Sequence, residues 1–301
     1  MNLFERATGL ASRHLSSDRL DWLRHVYLRF RRRLHPAMRR LYGSFDAASL
    51  RSHLEEKIGE DFEILMVHSS VNHMQPMYTE GPLELLRMLI DFCGTDRTLA
   101  MPAFYFGDPT IGGVRATFEQ NPRIDLRRTP SQMGLVTELF RRTKGAHQSR
   151  HPVFRVTALG PMAETMTRGH ELAGTPCGRG TPFDFMANHD TLILGIGKPF
   201  EVLTQVHHAE DLLGDAFPVP RTSGRPLEMM LADGAEEIKF SLAGGGLKGT
   251  RDMGRLRRIM DRNLLHEWKY HNVPLFATRA ADVSEALIAA AGRGLTLYRS
   301  T

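Results

Sequence analysis

Thr191-Leu192-Ile193-Leu194-Gly195-Ile196-Gly197 reads as an apolar strand. Across a short Lys198-Pro199-Phe200 loop it gives way to a helix-length segment, Thr204-Gln205-Val206-His207-His208-Ala209-Glu210-Asp211. A strand feeding a helix through a tight loop is the building unit of an α/β sheet, and such sheets gather their ligands at the loop ends of the strands. On the helix, residues three apart share a face, so His207 can touch Glu210 and His208 can touch Asp211. A carboxylate bonded to an imidazole fixes its tautomer and stabilises its cation, as a general base requires. This segment is therefore read as the centre of an active site.

Outward from this unit, strand and helix alternate. A helix at Ala47–Ile58 leads into the strand Phe62–Val67, which ends in His68-Ser69-Ser70. The helix Pro82–Phe92 precedes the strand Thr98–Met101, and a long loop, Pro102–Pro130, opens the helix Ser131–Arg142. Strands Val153–Leu159 and Thr191–Ile196 flank two short helices and a Gly/Pro-rich loop. Leu227–Leu231 and Glu236–Phe240, joined at Asp233-Gly234, read as a β-hairpin. Helices near Met253–Leu265 and Asp282–Ala291 and a last strand, Thr296–Tyr298, close the pattern. The expected fold is α/β: a mixed, mostly parallel central sheet with helices on both faces, plus a β-hairpin and a basic N-terminal helical arm.

With 301 residues and 42% apolar content the chain can bury one large core. Cys93 and Cys177 are too few for a disulfide framework and show no metal spacing, which fits a reducing cytoplasm. No run approaches the ~18 apolar residues of a membrane span, and the first 30 residues lack the apolar core of a signal peptide. A cytoplasmic protein is expected. The net charge of +5 is unevenly spread: residues 1–45 hold ten arginines against Glu5, Asp18 and Asp21, a balance of +7, so the other 256 residues carry −2.

Within that basic arm Trp22, Leu23, Val26, Tyr27, Phe30, Leu34, Met38 and Leu41 fall at helical spacing, with Pro36 marking a kink. Two readings stay open. The helix lies on the anionic inner face of a membrane with Arg29, Arg31, Arg32 and Arg33 on lipid phosphates, or its stripe packs on the body. Residues 1–43 form the arm and 44–301 the catalytic domain. No nucleic-acid module accompanies the arm, so nucleic acid is not an expected partner.

Several further motifs bear on chemistry. His68-Ser69-Ser70 at a strand end offers an imidazole and hydroxyls for the amides of an extended arm such as pantetheine, or forms a polar turn. In Arg127-Arg128-Thr129-Pro130-Ser131-Gln132-Met133-Gly134, Thr129 or Ser131 can cap the following helix, with Pro130 in its first turn. Free amides there, with arginines beside them, suit the phosphates of a nucleotide cofactor. His151, before Pro152, reads as structural. Cys177 is an alternative nucleophile for His207 to activate, although nothing in the sequence lowers its thiol pKa. The adjacent His207 and His208 point about 100° apart on a helix, so no metal is expected there. Gly244-Gly245-Gly246-Leu247-Lys248-Gly249-Thr250 lacks the residue order of a phosphate loop and reads as a flexible loop.

Taken in order, these segments resemble the aminoglycoside 3-N-acetyltransferase family. The matching pieces are Val67-His68-Ser69-Ser70, Met101-Pro102, Arg128-Thr129-Pro130-Ser131 through Met133-Gly134, and Ser149-Arg150-His151-Pro152. Ala158-Leu159-Gly160-Pro161, Gly178-Arg179-Gly180-Thr181-Pro182, Leu194-Gly195-Ile196-Gly197 and the helix bearing His207, Ala209 and Glu210 complete the set. The resemblance implies acyl transfer from acetyl-coenzyme A to an amine, with no metal. His207 matches the family's catalytic histidine and Glu210 its partner carboxylate. His68, Ser69, Ser70, Thr129, Ser131 and Gly134 match segments lining the coenzyme channel, and Arg128 and Met133 lie in the same segment. Thr204, one turn before His208, could donate to the thioester oxygen as charge develops there.

Two features depart from the family pattern. The basic arm lies outside it, and the loop between Met101 and Arg128 looks shortened, with only Asp108, Glu119 and Asp125 as acids. An aminoglycoside is a polycation and needs an acidic cleft. The expected acceptor is therefore a less charged amino sugar or a nucleotide- or lipid-linked precursor. The alternatives are a true aminoglycoside 3-N-acetyltransferase and a membrane-docked, non-catalytic binding protein of the same fold. The oligomeric state stays open.

Overall fold

The apolar run at Thr191–Ile196 is buried at every position and forms a strand near the middle of a seven-stranded sheet. The computed structural model describes residues 34–299. In chain order the elements are α1 (34–42), α2 (Ala47–Ile58), β1 (Ile64–Ser69), α3 (Val71–Met74), α4 (Pro82–Cys93), β2 (Thr98–Pro102), α5 (Val114–Gln120), β3 (Arg123–Asp125), α6 (Leu135–Phe140), β4 (His147–Gln148), β5 (Val156–Leu159), α7 (Ala163–Thr167), α8 (Pro182–Ala187) and β6 (Thr191–Ile196). There follow α9 (Val206–Leu213), β7 (Arg221–Asp233), β8 (Glu236–Leu247), β9 (Thr250–Arg251), α10 (Leu256–Ile259), β10 (His266–Tyr270), β11 (Val273–Arg279), α11 (Ala280–Ala291) and β12 (Tyr298–Arg299).

The large sheet runs β10-β11-β6-β1-β2-β5-β4. The expected mixed sheet is present, but only its central trio β6-β1-β2 is parallel; four of its six strand pairs, those on either side, are antiparallel rather than the sheet being mostly parallel. Alternate residues of β1 feed two cores. Leu65 and Val67 pack with α2, α4 and α6 through Leu54, Leu89 and Phe140. Ile64 and Met66 pack on the other face with Phe183 of α8, Ala209 of α9 and Val283 of α11. Helices thus cover both faces, which is why β1 and β6 read as unbroken apolar runs rather than alternating ones. Gly195 is required by this packing, because a Cβ there would lie 2.0 Å from the Phe276 ring of β11.

Several segments differ from the sequence reading. Only Leu256–Ile259 of the expected helix Met253–Leu265 is α-helical, and the chain then makes the hairpin β10-β11, turning at His271 and Asn272 with φ of 46° and 63°. The helix expected at Ser131 begins at Leu135 with Gly134 as its N-cap and no side-chain cap, so neither Thr129 nor Ser131 caps it. The Pro102–Pro130 stretch contains α5 and β3, and β3 pairs with the hairpin β7-β8 in a second sheet of three strands around Phe118, Ile124 and Leu231. That hairpin is far longer than expected and absorbs the glycine run. Gly245 lies in β8 at φ +84°, where a Cβ would sit 1.9 Å from the Thr222 carbonyl oxygen, so it is a strand irregularity rather than a flexible loop.

Of the basic arm, residues 1–33 lie outside the described residues. In α1, Met38 packs against the core, and Arg39 Nε donates to the Pro76 carbonyl at 2.8 Å. Among the described residues no helix is long and apolar enough to cross a membrane.

Candidate active site

The carboxyl ends of the parallel strands β1, β2 and β6 share one edge of the sheet, and the segments leaving them assemble the site. Ser70 N donates to the Ile196 carbonyl at 2.9 Å, which joins the exits of β1 and β6. From β6 the chain reaches Thr204 and Gln205, both buried. Gln205 Nε2 donates to the Phe183 carbonyl and to Ser284 Oγ at 2.9 and 3.2 Å, fixing the start of α9. Val206 and Ala209 then face the core, and the opposite turn presents His207 and Glu210.

His207 is 24% exposed at its side chain, whereas the Glu210 side chain is only 6% exposed; Nδ1 and Oε2 lie 3.4 Å apart. Arg251 joins them from β9. Its Nε donates to Glu210 Oε1 at 3.2 Å, and its Nη2 lies 2.6 Å from Glu210 Oε2 and 2.7 Å from the Tyr298 hydroxyl. The same Nη2 lies 3.2 Å from His207 Nδ1, and Nη1 lies 3.5 Å from His207 Nε2. Counting hydrogens resolves this crowding. Nη2 carries two, and the two short contacts use both. A proton on His207 Nδ1 then points at Glu210 and leaves Nε2 as the basic nitrogen, with Arg251 Nη1 3.5 Å from it. Burial pushes the Glu210 carboxyl up, but the hydrogen bond from His207 and the charges of His207 and Arg251 outweigh it and hold the group below the usual glutamate value. Burial and the Glu210 charge push the Tyr298 phenol up to about 12, so it stays a neutral hydroxyl.

The second histidine has a different role. His208 is buried and turned away, with Nδ1 2.8 Å from Ser284 Oγ and Nε2 3.3 Å from Asp184 Oδ1. It does not pair with Asp211, which instead accepts from the Cys177 amide at 3.0 Å and from Arg221 at 3.1 Å. Cys177 is fully buried, and burial together with Asp211 and Glu210 raises its thiol well above the ordinary value, the reverse of what a nucleophile needs. His151 is structural: its Nδ1 accepts from the Val153 and Phe154 amides at 3.0 and 2.9 Å.

The other site segments gather at the same edge. His68 is buried, neither ring nitrogen has a hydrogen-bond partner, and burial pushes its pKa down to about 3, so it is a neutral imidazole. The 128–134 segment is tied to the exit of β2 by Gln132, whose amide donates to the Phe104 carbonyl at 2.9 Å. Ring contacts then run from Phe104 to Phe154 at 5.0 Å and from Phe154 to His207 at 5.6 Å. Within the segment Ser131 Oγ accepts from the Met133 amide, Met133 packs on the core, and Glu138 accepts from the Ser131 amide. Thr129 is held by its amide to the Asp125 carbonyl, and the Arg128 side chain is 90% exposed.

The sequence reading missed three residues. Arg251 and Tyr298 complete the histidine–carboxylate group, and only the pairing of β9 with β12 brings them there. Arg155 is fully buried beneath the 126–130 loop and donates to the carbonyls of Leu126, Thr129 and Pro130. No local pattern marked it. A cavity of about 830 Å³ lies at the amino end of β6, lined by Leu192, Met260 and Arg279, away from His207.

A buried carboxylate holding a partly exposed imidazole can accept a proton from an incoming nucleophile. The model of the aminoglycoside 3-N-acetyltransferase family matches residues 66–290. Aminoglycoside N(3)-acetyltransferase III of Serratia marcescens is 27% identical over 189 residues, covering 60% of this chain and 68% of that protein. A protein of the same name from Acinetobacter baumannii is 31% identical over 157 residues, and there the match spans 49% of this chain and about half, 54%, of the relative. Among solved structures, AAC-IIIb in binary complex with CoASH superposes with a TM-score of 0.67 at 20% identity, covering 85% of this chain and 99% of that one, and so shares the fold. On the breadth of the family match, the chain belongs to the aminoglycoside 3-N-acetyltransferase family.

Proposed function

We propose that the protein transfers an acetyl group from acetyl-coenzyme A directly to an amine of an amino sugar or sugar-linked precursor. The observation that carries this reading is the His207–Glu210 pair, with the imidazole partly exposed and the carboxylate buried behind it. The donor supplies an acyl group already activated as a thioester. Support for a coenzyme channel comes from the partnerless ring nitrogens of His68 beside the Ser69 and Ser70 hydroxyls, a donor and acceptor set suited to the amides of a pantetheine arm. Arg128, Thr129, Ser131, Met133 and Gly134 would border the same arm and its phosphates, with Arg155 and Glu138 bracing their backbone from below.

His207 Nε2 takes the proton released as the amine attacks the thioester carbon, Glu210 stabilises the resulting imidazolium through Nδ1, and the C–S bond then breaks so that coenzyme A leaves as the thiol with that proton. Thr204, buried one turn before the histidines, donates toward the oxygen on which charge develops. Residues 1–43 are a basic arm appended to the catalytic domain 44–301; its α1 segment packs on the body through Met38 and Arg39, and the part ahead of α1 docks on anionic membrane. The test is thiol release from acetyl-coenzyme A against a panel of amino sugars and aminoglycosides. Release with amino sugars supports the reading, fast turnover of aminoglycosides alone replaces the acceptor class, and no release with any amine defeats it.

A further inference from the structure

The Arg251 guanidinium is held in place on one side and open on the other. Its Nε and Nη2 are committed to Glu210 and Tyr298, and its carbon stands 5.2 Å over the Tyr298 ring. Nη1 has no such anchor: its contact is the 3.5 Å approach to His207 Nε2. An amine delivering a proton to Nε2 must come within hydrogen-bond reach of that nitrogen, and so within a few ångströms of Nη1. A second ammonium on the acceptor, about 4 Å from this cation, would cost between roughly fivefold and several hundredfold in affinity, depending on how far the cleft excludes water.

The surroundings have the same sign. Beside the β9-β12 ribbon a cavity of about 610 Å³ is lined by Arg255, Arg258 and Arg299, with Asp252 paired to Arg299 at 2.8 Å. Ring contacts lead from His207 through Phe154 and His151 to Phe240 of the long hairpin. Three of the hairpin's four carboxylates are engaged by arginine, Asp233 by Arg127 and Arg150 at 2.6 and 2.9 Å, Glu236 by Arg150 at 2.6 Å and Glu237 by Arg123 at 3.1 Å, while Glu228 accepts from the Ser241 hydroxyl. Asp211, one residue beyond Glu210, is engaged by Arg221 at 3.1 Å. These carboxylates do not offer a polycation an open acidic wall.

Resting on the acyl-transfer reading above, we propose that Arg251 determines acceptor specificity, its Nη1 binding an oxyanion carried by the amino-sugar acceptor. The oxyanion is a phosphate or a carboxylate. The remaining donors of Arg251 stay on Glu210 and Tyr298, so recognition needs no rearrangement of the base. Charge-assisted hydrogen bonds to a preorganised guanidinium support discrimination of about 10–100-fold over the uncharged sugar.

The test compares kcat/KM for glucosamine, glucosamine 6-phosphate, 2-amino-2-deoxyglucuronic acid and tobramycin in the full-length protein, Arg251→Met and Arg251→Lys, with melting temperatures recorded for each. Wild type should favour one or both anionic sugars over glucosamine by about 10–100-fold, the preferred one identifying phosphate or carboxylate. Arg251→Met removes the partner of Glu210 and should lower kcat on every acceptor, but it should also erase the ratio of kcat/KM between anionic sugars and glucosamine, chiefly through KM for the anionic sugars, and Arg251→Lys should recover part of that ratio. Equal losses on neutral and anionic acceptors in a folded Arg251→Met would make Arg251 a structural brace and overturn the inference. Tobramycin or glucosamine turning over as well as the anionic sugars in wild type would overturn it while leaving acyl transfer intact. Absence of thiol release with all four amines would overturn both.

Discussion

Glu210→Gln separates charge from shape at the centre of the site. The side chain keeps its volume and one acceptor oxygen, but the buried position loses the negative charge that faces Arg251 at 2.6 Å and His207 at 3.4 Å. An amide nitrogen also replaces one of the oxygens on which three donors converge. Removing one partner of a buried ion pair costs about 3–5 kcal/mol. Arg251 keeps 27% of its side chain exposed and can recruit water, and glutamine still accepts one bond, so a loss of about 2 kcal/mol is expected. For a domain of this size that is a drop of roughly 4 °C in melting temperature. The imidazolium formed during transfer loses its counter-charge, so kcat should fall about 10²–10³-fold with little change in the KM for acetyl-coenzyme A. Because the Glu210 carboxyl is depressed in the folded state, its contribution is complete above the ordinary glutamate pKa of 4.5 and is lost as pH falls through the folded value. The gap in melting temperature between wild type and variant should therefore be full at pH 7 and narrow on acidification below pH 4.5. Stopped-flow thiol release and calorimetry over that range test both halves. A variant retaining kcat within threefold, or a gap that widens in acid, would refute the argument.

His207→Ala should lose turnover by about 10²–10⁴-fold while calorimetric binding of coenzyme A persists, since the candidate coenzyme contacts lie on other segments. If His208→Ala were the inactive variant instead, the roles of the two histidines would be reversed. Cys177→Ser should retain most activity, because the buried thiol has no part in direct transfer, and mass spectrometry of donor-treated enzyme should find no acetyl group on Cys177. Deleting residues 1–33, while keeping the α1 contacts of Met38 and Arg39, should leave thiol release intact and abolish salt-sensitive sedimentation with anionic vesicles. Vesicle binding that survives the deletion would sink the lipid-docking role of the arm.

What could be read from the sequence and what could not divide along a physical line. The β6 strand is legible because a strand buried on both faces writes a continuous apolar run, and the His207–Glu210 contact is legible because three residues make most of a helical turn. The strands β10 and β11 were hidden for local reasons. Glu267 and Lys269 interrupt the apolar pattern, Pro274 argues against a strand, and the turn uses His271-Asn272 rather than a glycine pair. The outer half of the long hairpin is exposed on both faces and so carries no alternation to detect. Arg251 is a different case. Its place beside His207 depends on a two-residue strand pairing with Tyr298, 47 residues away, and on a hydrogen-bond geometry that composition does not encode. Arg155 likewise resembles any other arginine until three carbonyls close around it. The candidate base and the candidate coenzyme segments are thus written in short-range motifs that a family resemblance carries. The cation standing over the base is set by long-range contacts, which the motifs leave free to vary. Family membership therefore bears more heavily on the donor half of the reaction than on the acceptor, and it is the charge beside His207 Nε2 that argues against reading the acceptor from the relatives' names.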